Sequence, residues 1–424
     1  MTDVLRILIT NHSLSDRAGS ELYVRDLAMA LLARGHRPIV YSPVLGRVAH
    51  EIRSAAIPVV DNLDGLATPP DVIHGQHHLE TMTAVLHFPS VPALYVCHGW
   101  LPWEEAGPRF PRILQYVAVD DTCRDRLVCE DGVPEDRVRV LLNFVDLDRF
   151  PPRAPLPPRP ARALLFCNEN GPHVGVVQEA CAKAGIPLDA IGLGLGNSSA
   201  TPETVLGGYD IVFAKARSAL EGLAVGAAVV LVGANGLGPM VTTSDMDILR
   251  RLNFGIRALR SPLTPARLVA EIERYDPADA AEVSRRIRAI AGRDEIVEEL
   301  LSVYRAVIAE WNARPVPDSG VEARAAARYL RSLVPIVKGA VLQREAVRTQ
   351  VAGLEAEREQ LREQLEEVRT EKDRFASRLE DVRAEKDLLA SRLSGALDTT
   401  ANMERSLFWK ARLAWVKARE WFRG

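Results

Sequence analysis

No part of the 424-residue sequence narrows the choice of folds as much as the stretch from Gly208 to Thr242. It begins with a short apolar run, Tyr209 to Phe213, that suits a buried strand, and strong helix formers follow from Ala219 to Ala224. Gly226 ends the helix, and the β-branched run from Ala228 to Val232 suits a second buried strand. A strand, a helix and a second strand in this order predict a unit with two parallel strands.

Polar residues stand at the first turn of this unit. Lys215 and Arg217 follow the first predicted strand, and Ser218 is a candidate N-cap of the helix. Glu221 comes three residues after Ser218, which is the spacing of a capping box. On spacing alone, capping is the simpler role for Glu221, and exposed cations in a turn are commonly only solvated surface.

The second predicted strand is followed by a glycine-rich segment, residues 233–239 (GANGLGP). We expect a loop here, because three glycines allow backbone N–H groups to approach a phosphate closely. Gly236 and Gly238 are the candidate phosphate-binding residues of this loop.

Alternating strand and helix signals also open the chain. Val4 to Thr10 reads as a strand, Glu21 to Arg34 as an amphipathic helix that ends at Gly35, and Pro38 to Tyr41 as a second strand. This order predicts the start of a doubly wound, mostly parallel sheet of the α/β class.

Three further short strands are predicted within residues 71–78, 91–100 and 116–119, and each ends in polar or glycine residues. Ligands of open parallel sheets gather at such strand ends. His98 ends one of these strands and precedes Gly99, so a site role and a structural role are both open for it. A metal site at His74, His77 and His78 is disfavoured, because no carboxylate stands nearby at ligand spacing.

Several of these segments resemble one protein family. Residues 221–230 (EGLAVGAAVV) are similar to the EAMACGxPVV segment of retaining GT-B glycosyltransferases of the large family-four group. Residues 143–150 (NFVDLDRF) resemble that family's NGVD…F exit from the acceptor domain, and the region around Gly19 resembles its first strand-helix unit. The resemblance covers roughly residues 4 to 311. It implies two Rossmann-like domains, and transfer of a sugar from a nucleoside-diphosphate sugar to a glycan or lipid-linked acceptor, without a cofactor.

The resemblance also implies roles for particular residues. In the family, the glutamate matching Glu221 holds the ribose of the donor, and the turn matching His98 and Gly99 lies near the donor sugar. His98 is therefore the candidate catalytic residue. The leaving diphosphate needs cations or N–H donors. The candidate donor-binding residues are Gly19, Lys215, Arg217, Glu221, Gly236 and Gly238.

Two departures from the family set the donor site apart. The family's GR…KG segment, whose cations neutralise the diphosphate, is replaced by Asn168 to Pro172, and the family's earlier glutamate is replaced by Phe213. A non-catalytic GT-B-like scaffold that organises glycan-assembly enzymes is therefore the alternative function. No convincing DxD pair is present, which agrees with a metal-independent reaction.

Residues 341–397 have the pattern of a coiled coil. Two segments of fourteen residues repeat, from Leu365 to Arg378 and from Leu379 to Arg392. Cations stand at three a positions, which favours two strands over larger bundles and predicts a homodimer: Arg358, Lys372 and Lys386. Apolar residues fill the rest of the seam at alternating spacings of four and three: Val347, Val351, Leu354, Leu361, Leu365, Val368, Phe375, Leu379, Val382, Leu389 and Leu393.

The end of the chain, residues 401–424, predicts an aromatic and basic amphipathic helix. One face carries Phe408, Trp415 and Phe422. Such a helix suits an anionic membrane surface, and packing against its dimer mate is the alternative. Basic residues outnumber the acids Glu404 and Glu420: Arg405, Lys410, Arg412, Lys417, Arg419 and Arg423.

These segments divide the chain into six parts: an acceptor domain (1–150), a proline-rich linker (151–162), a donor domain (163–312), a helical connector (313–340), the coiled coil (341–397) and the tail (401–424).

Charge and cysteine usage exclude some classes of protein. A net charge of −3 argues against a general nucleic-acid binder. Five cysteines show neither a CxxC motif nor zinc-site spacing, which fits a reduced compartment. The first residues lack the features of a cleavable signal. We therefore expect a cytoplasmic protein that is either soluble or peripheral on the inner face of the cell membrane.

Overall fold

The structure is a computed structural model that describes residues 4–199, 201–314 and 319–422. The chain divides into two compact units, one ending at Arg331 and the other beginning at Ser332. The first unit contains two sheets, and residues 151–162 between them have no regular secondary structure. The five cysteines are free thiols. None of the described helices has the length and apolar character needed to cross a membrane.

A parallel sheet of seven strands forms the first lobe, in the order β3-β2-β1-β4-β5-β6-β7. The predicted doubly wound start is confirmed, because β1 pairs in register with β2 on one side and β4 on the other. The strands are β1 (Arg6–Thr10), β2 (Arg37–Tyr41), β3 (Val59–Val60), β4 (Val72–Gln76), β5 (Ala93–Cys97), β6 (Ile113–Ala118) and β7 (Val138–Val140).

The second lobe has a five-stranded sheet in the order β12-β11-β10-β8-β9. The predicted unit of strand, helix and parallel strand is confirmed as β10 (Ile211–Ala214), α7 (Ala216–Val225) and β11 (Ala228–Gly233). Gly226 ends α7 with a φ of +100°. Phe213 lies fully buried in β10. The strands are β8 (Ala163–Phe166), β9 (Leu188–Ile191), β10 (Ile211–Ala214), β11 (Ala228–Gly233) and β12 (Gly236–Met240).

The glycine-rich segment after β11 differs from its prediction. Residues 236–240 form β12, which pairs antiparallel with β11, so the predicted phosphate loop is a β-hairpin. The expectation of a loop was wrong because the glycines serve close packing. A Cβ at Gly236 would lie 2.8 Å from the Ser261 carbonyl oxygen, and one at Gly238 would lie 2.8 Å from that of Ala258.

Helices cover both sheets. The helix after the second lobe, α11, returns to the first lobe, where Tyr304 is fully buried and its hydroxyl lies 2.7 Å from Nδ1 of His74. The helices of the first unit are α1 (Gly19–Ala33), α2 (Arg47–Ser54), α3 (His78–His87), α4 (Asp121–Asp125), α5 (Pro172–Ala184), α6 (Pro202–Val205), α7 (Ala216–Val225), α8 (Met246–Arg251), α9 (Pro265–Ile272), α10 (Pro277–Ile290) and α11 (Arg293–Asn312).

One long helix, α12 (Ser319–Arg405), follows and runs through both the predicted connector and the predicted coiled coil. Its beginning belongs to the first unit, where Glu322 pairs with the buried Arg112 at 2.8 Å. The apolar seam residues are exposed along the rest of its length, as a seam awaiting a partner helix would be.

A short helix, α13 (Leu407–Trp421), ends the described chain. Its N-cap residue is Ser406, whose hydroxyl accepts a hydrogen bond from the Trp409 N–H at 3.1 Å. The predicted tail helix is therefore present as a separate element, although Arg423 and Gly424 lie outside the described residues.

Candidate functional site

The two lobes meet where α1 of the first lobe faces α7 of the second. A cavity of about 110 Å³, which we call the cleft cavity, lies in the cleft between them, and both lobes contribute to its walls. Gly19 comes from the first lobe, and Arg217 and Glu221 come from the second. The structure therefore brings three of the predicted donor-binding residues to one place. The cavity is also lined by Arg17, Arg47, Asn168, Gly192, Ser198 and Ser199.

A chain of ion pairs joins the lobes across this cavity. The Arg217 guanidinium bonds to the Asp26 carboxylate on α1, and its Nε donates to Oε1 of Glu221 at 2.8 Å. Asp26 also accepts from Arg25 at 2.6 Å, and Arg25 reaches Glu51 at 3.1 Å. Asp26 and Glu221 are almost completely buried, so these pairs are shielded from solvent.

Burial and ion pairing act in opposite directions on the three charges at the centre of this chain. Burial raises the pKa of Glu221, and Arg217 only partly offsets that effect. Burial would also raise the pKa of Asp26, but Arg217 and Arg25 hold it below its ordinary value. The pKa of Arg217 is raised, because Asp26 and Glu221 outweigh its burial. Arg217 therefore stays a cation that is committed to two carboxylates.

The predicted capping box at Ser218 was wrong. Helix α7 begins earlier, at Ala216, and Lys215 is its N-cap residue without a side-chain cap bond. Glu221 consequently lies beyond the first turn, on a buried face of the helix, and pairs with the residue four positions before it. The carboxylate is a component of the cleft, and its role is not that of a cap.

Lys215 lies outside the cleft cavity. Its Nζ is 2.6 Å from Oε1 of Glu169, in the loop that replaces the family's GR…KG segment. Glu169 also accepts a hydrogen bond from the Ala234 N–H at 3.2 Å. Glu169 thus ties its loop both to the hairpin after β11 and to Lys215, whose charge it balances.

Gly236 and Gly238 are not among the residues that line the cleft cavity. Both lie in the hairpin described above, and Gly238 lines a different cavity of about 490 Å³ between β12, α8 and α9. The structure therefore separates these two candidates from Gly19, Arg217 and Glu221.

His98 directly follows β5, at the carboxyl end of the first sheet. Its backbone N–H donates to Oε2 of Glu105 at 2.8 Å, and its ring packs edge-on against Tyr23 of α1 at a centroid distance of 4.6 Å. Burial lowers the pKa of His98 to about 3, so the ring is neutral. Nε2 is buried and has no hydrogen-bond partner among the described residues, and His98 is not among the residues that line the cleft cavity.

A cluster of side chains around Glu105 was missed by sequence reasoning. His12 contacts His77 with ring nitrogens 3.0 Å apart, and Nε2 of His77 lies 3.5 Å from Oε1 of Glu105. Burial lowers the pKa of His77 to about 2 and raises that of Glu105 to about 8. These residues follow strands β1, β4 and β5, which are neighbours in the sheet. Their proximity could therefore be predicted only from the order of the strands.

The three histidines that invited a metal prediction have separate partners. His74 contacts Tyr304, His77 contacts Glu105, and Nδ1 of His78 lies 2.8 Å from the Tyr329 hydroxyl. Among the residues that the structure describes, no cluster of three or more potential ligands fits a metal ion. Metal independence of a reaction stays a prediction.

The chain resembles known proteins in part of its sequence and in its fold. Residues 17–149 match the family model described as Glycosyltransferase Family 4. No curated protein matches the chain.

Two solved structures have similar folds. A glycosyltransferase from Rickettsia africae is 14% identical and has a TM-score of 0.50, over 72% of this chain and 99% of its own. Anabaena HepE, in complex with UDP and glucose, is 15% identical and also has a TM-score of 0.50, over 71% of this chain and 100% of its own. Identities this low establish similarity of fold alone.

Proposed function

We propose that this protein, whose first unit has the GT-B fold, is a glycosyltransferase that moves a sugar from a nucleoside-diphosphate sugar to a glycan or lipid-linked acceptor. The observation that carries the proposal is the shared cavity, because Gly19 of one lobe and Glu221 of the other line the same space. The complex of Anabaena HepE with UDP and glucose supports a nucleoside-diphosphate sugar as donor.

Glu221 is suited to hold the donor. Arg217 bonds to its Oε1, which fixes the orientation of the carboxylate, and we assign its Oε2 to the ribose hydroxyls. A carboxylate that is already oriented loses little side-chain freedom when a ligand binds. His98 does not line the cleft cavity, so we assign its neutral, unpaired Nε2 to a hydroxyl of the transferred sugar only once the lobes have moved apart. Retention of configuration and metal independence belong to the same proposal.

Binding requires the lobes to move apart. Ligand pockets occupy roughly 300 to 1,000 Å³, whereas the cleft cavity has about 110 Å³. The Arg217 to Asp26 bond spans the lobes, so opening exchanges this bond for contacts with the donor. Hinged closure of two lobes around a ligand is an established mode of enzyme action.

The bond between Arg217 and Asp26 also favours the alternative function, a non-catalytic scaffold. Arg217 is paired with Asp26 and Lys215 with Glu169, so the cations nearest to α7 are already neutralised. A GT-B-like scaffold without donor binding has this property, and the long exposed helix α12 gives it a surface with which to organise glycan-assembly enzymes.

A thermal-shift screen with nucleoside diphosphates and their sugars at millimolar concentration separates the two functions. A glycosyltransferase gains melting temperature with at least one nucleotide, because ligands that bind only the folded state stabilise it. Glu221→Gln should lose most of that gain, measured against the melting temperature of the variant without ligand, which itself falls because Arg217 loses one of its two carboxylates. An absence of any shift in the wild type assigns the protein to the scaffold function.

We further propose a homodimer through the heptads of α12 and contact of α13 with a membrane surface, on the cytoplasmic face of the cell membrane. The seam residues of α12 are exposed over many turns, which an isolated helix does not favour. Assembly of surface polysaccharide is the process that fits a glycan or lipid-linked acceptor at such a surface.

A further inference from the structure

The exposed seam of α12 contains cations that lack a partner in their own helix. Lys372 and Lys386 stand at a positions, and no acidic residue lies three or four positions away from either of them. Residues at those two spacings are the ones that meet on the surface of a helix. Each lysine must therefore find its counter-charge in solvent or on another helix.

A glutamate at a g position stands directly before each of three seam cations. Adjacent residues of a helix point in different directions, so such a glutamate and its cation do not meet within one chain. The three pairs are Glu357 and Arg358, Glu371 and Lys372, and Glu385 and Lys386. The g positions that precede apolar seam residues hold no acid: Gln350, Gln364, Arg378 and Arg392.

The e positions, on the other edge of the seam, are mainly basic. Glu355 is the one acid among them within residues 341–397. Two of the arginines lie near glutamates of their own helix, Arg362 at 3.5 Å from Glu359 and Arg369 at 3.6 Å from Glu366. The arginines at e are Arg348, Arg362, Arg369 and Arg383.

The orientation of a second helix decides which edge the seam cations meet. In a parallel pair, a residue at a packs beside the g residue that precedes the facing a residue. In an antiparallel pair the two e edges face each other, so a residue at a packs beside e residues of the other helix. Parallel helices thus bring the seam cations to glutamates, whereas antiparallel helices bring them to arginines. Charge complementarity favours the parallel pair.

The same charges select the register. Without an offset, Lys372 of each copy packs beside Glu371 of the other. An offset of one heptad would place glutamine or arginine beside each seam cation, because those residues fill the intervening g positions. An offset of two heptads would restore contacts with glutamate but leave two heptads unpaired at each end. The aligned pair therefore keeps every contact between cation and glutamate.

We infer that α12 binds a second copy of this chain in parallel and without offset, with the seam cations paired to the g glutamates of that copy. The inference rests on the proposed homodimer and deepens it, because it fixes the orientation and the register. Helix α13 follows α12 after the single residue Ser406, so the two copies of α13 start from the same end of the coiled coil. Two linked tails bind one surface more tightly than a single tail does.

Charge reversal in the full chain tests the inference, with the dimer dissociation constant measured by analytical ultracentrifugation. The g variant combines Glu357→Lys, Glu371→Lys and Glu385→Lys. The a variant combines Arg358→Glu, Lys372→Glu and Lys386→Glu. The matched control changes net charge as the g variant does, but on the outer face of the helix, and combines Glu363→Lys, Glu367→Lys and Glu380→Lys.

The control should dimerise as the wild type does. Each seam variant alone should dimerise at least about tenfold more weakly, because like charges then meet at every altered contact. An equimolar mixture of the two variants should form a dimer about as stable as the wild type, since glutamate again meets a cation.

A wild-type chain that is monomeric overturns both the proposed homodimer and this inference. If the wild type is a dimer, a g variant that behaves like the control, or a mixture that fails to restore the dimer, overturns only the inference. An a variant that dimerises more tightly than the wild type also overturns it, because new glutamates gain from the e arginines of an antiparallel partner.

Cross-linking reports the orientation independently of charge. Leu354→Cys and Leu389→Cys place single thiols at d positions near opposite ends of the heptads, in a chain whose exposed Cys129 is changed to Ser. A short bismaleimide should link each variant to itself, and peptide mass spectrometry of a mixture should find no link between positions 354 and 389. A link between those two positions, without self-linked products, would establish antiparallel helices and overturn the inference.

Discussion

Arg217 is the residue on which most of the cleft depends. It lies between Asp26 of the first lobe and Glu221 of the second, which are separated by almost two hundred positions in the sequence. Pairs of buried charges gain little net stability when intact, since desolvation offsets most of their attraction. Their removal is costly, because the surviving partner is then buried without compensation.

Arg217→Gln should lower the free energy of unfolding by about 3 kcal/mol, since it leaves the buried Glu221 without a cation and leaves Asp26 with Arg25 alone. Urea unfolding followed by circular dichroism measures the change. The exposed pair of Arg139 and Glu299 supplies the comparison, and Arg139→Gln should cost less than about 1 kcal/mol. Equal costs for the two variants would show that the Arg217 pairs are solvated in solution.

Glu105 gives stability a dependence on pH. Burial raises its pKa to about 8, although the His98 N–H and Arg126 oppose the shift, and its neighbour His77 stays neutral. The folded state therefore holds a proton on Glu105 between about pH 4.5, the ordinary value, and pH 8, whereas the unfolded state has released it. This contribution favours folding at low pH and is lost progressively as the pH rises to about 8.

Glu105→Gln keeps an acceptor for the His98 N–H and removes the titration. Between pH 5 and pH 8 the wild type should lose more stability than the variant, as measured by the urea midpoint at several pH values. Parallel pH profiles for the two proteins would mean that Glu105 is ionised in the folded state.

Secondary-structure elements with local signals were predicted from the sequence, and an element that depends on distant residues was not. The strands and helix around Gly226 were predicted because their signals are local: an apolar run, helix formers and a terminating glycine. The hairpin after β11 was missed because the packing that demands its glycines comes from Ala258 and Ser261. Pairing with residues distant in sequence leaves no local signal.

The same dependence on residues distant in sequence explains which residues of the candidate site could be predicted and which could not. Gly19 and Glu221 were found through a resemblance of short segments and Arg217 through the need of a diphosphate for cations, and the structure brings the three together. Asp26, Glu51 and Glu105 were missed, because each acts through a partner on another element.

Helix α13 presents large exposed side chains beside its cations: Phe408 is 80% exposed and Trp421 is 82% exposed. Membrane docking needs both the apolar groups and the cations, each cation contributing on the order of 1 kcal/mol near an anionic surface. Packing against a partner helix needs mainly the aromatic residues. The two proposals therefore differ in how binding responds to charge.

Vesicle co-sedimentation of the full chain, with and without anionic lipid and at low and high salt, makes this distinction. Binding should need anionic lipid and weaken with salt. It should be lost when Lys410, Arg412, Lys417 and Arg419 are all changed to Gln. The double variant Phe408→Ala and Trp415→Ala, which leaves the charge of the helix unchanged, should bind less than the wild type. Absence of sedimentation under every condition would assign α13 to protein contacts.

At the scale of the whole molecule, the two units differ in whether they have a buried core. The first unit has a complete core of its own in each lobe, whereas the second unit, from Ser332 onward, has no buried core among its described residues. A helix of this length gains most of its stability from a partner. The exposed seam of α12 is therefore the part of the molecule that most needs a second copy.

Truncation after Gly339 removes the heptads and leaves the first unit intact. Light scattering should show a dimer for the full chain and a folded monomer for the truncated chain, with circular dichroism as the check on folding. A truncated chain that remains dimeric would move the interface to the globular unit.

Donor binding in the cleft between the lobes is tested most directly by hydrogen–deuterium exchange, with and without the nucleoside diphosphate that gives the largest thermal shift. The ligand should protect residues 16–22 at the start of α1 and residues 216–221 at the start of α7, because both segments line the cleft cavity. The hairpin at residues 233–240 should exchange at the same rate in both states. Protection confined to the hairpin, or the absence of protection at both helix starts, would contradict donor binding in the cleft.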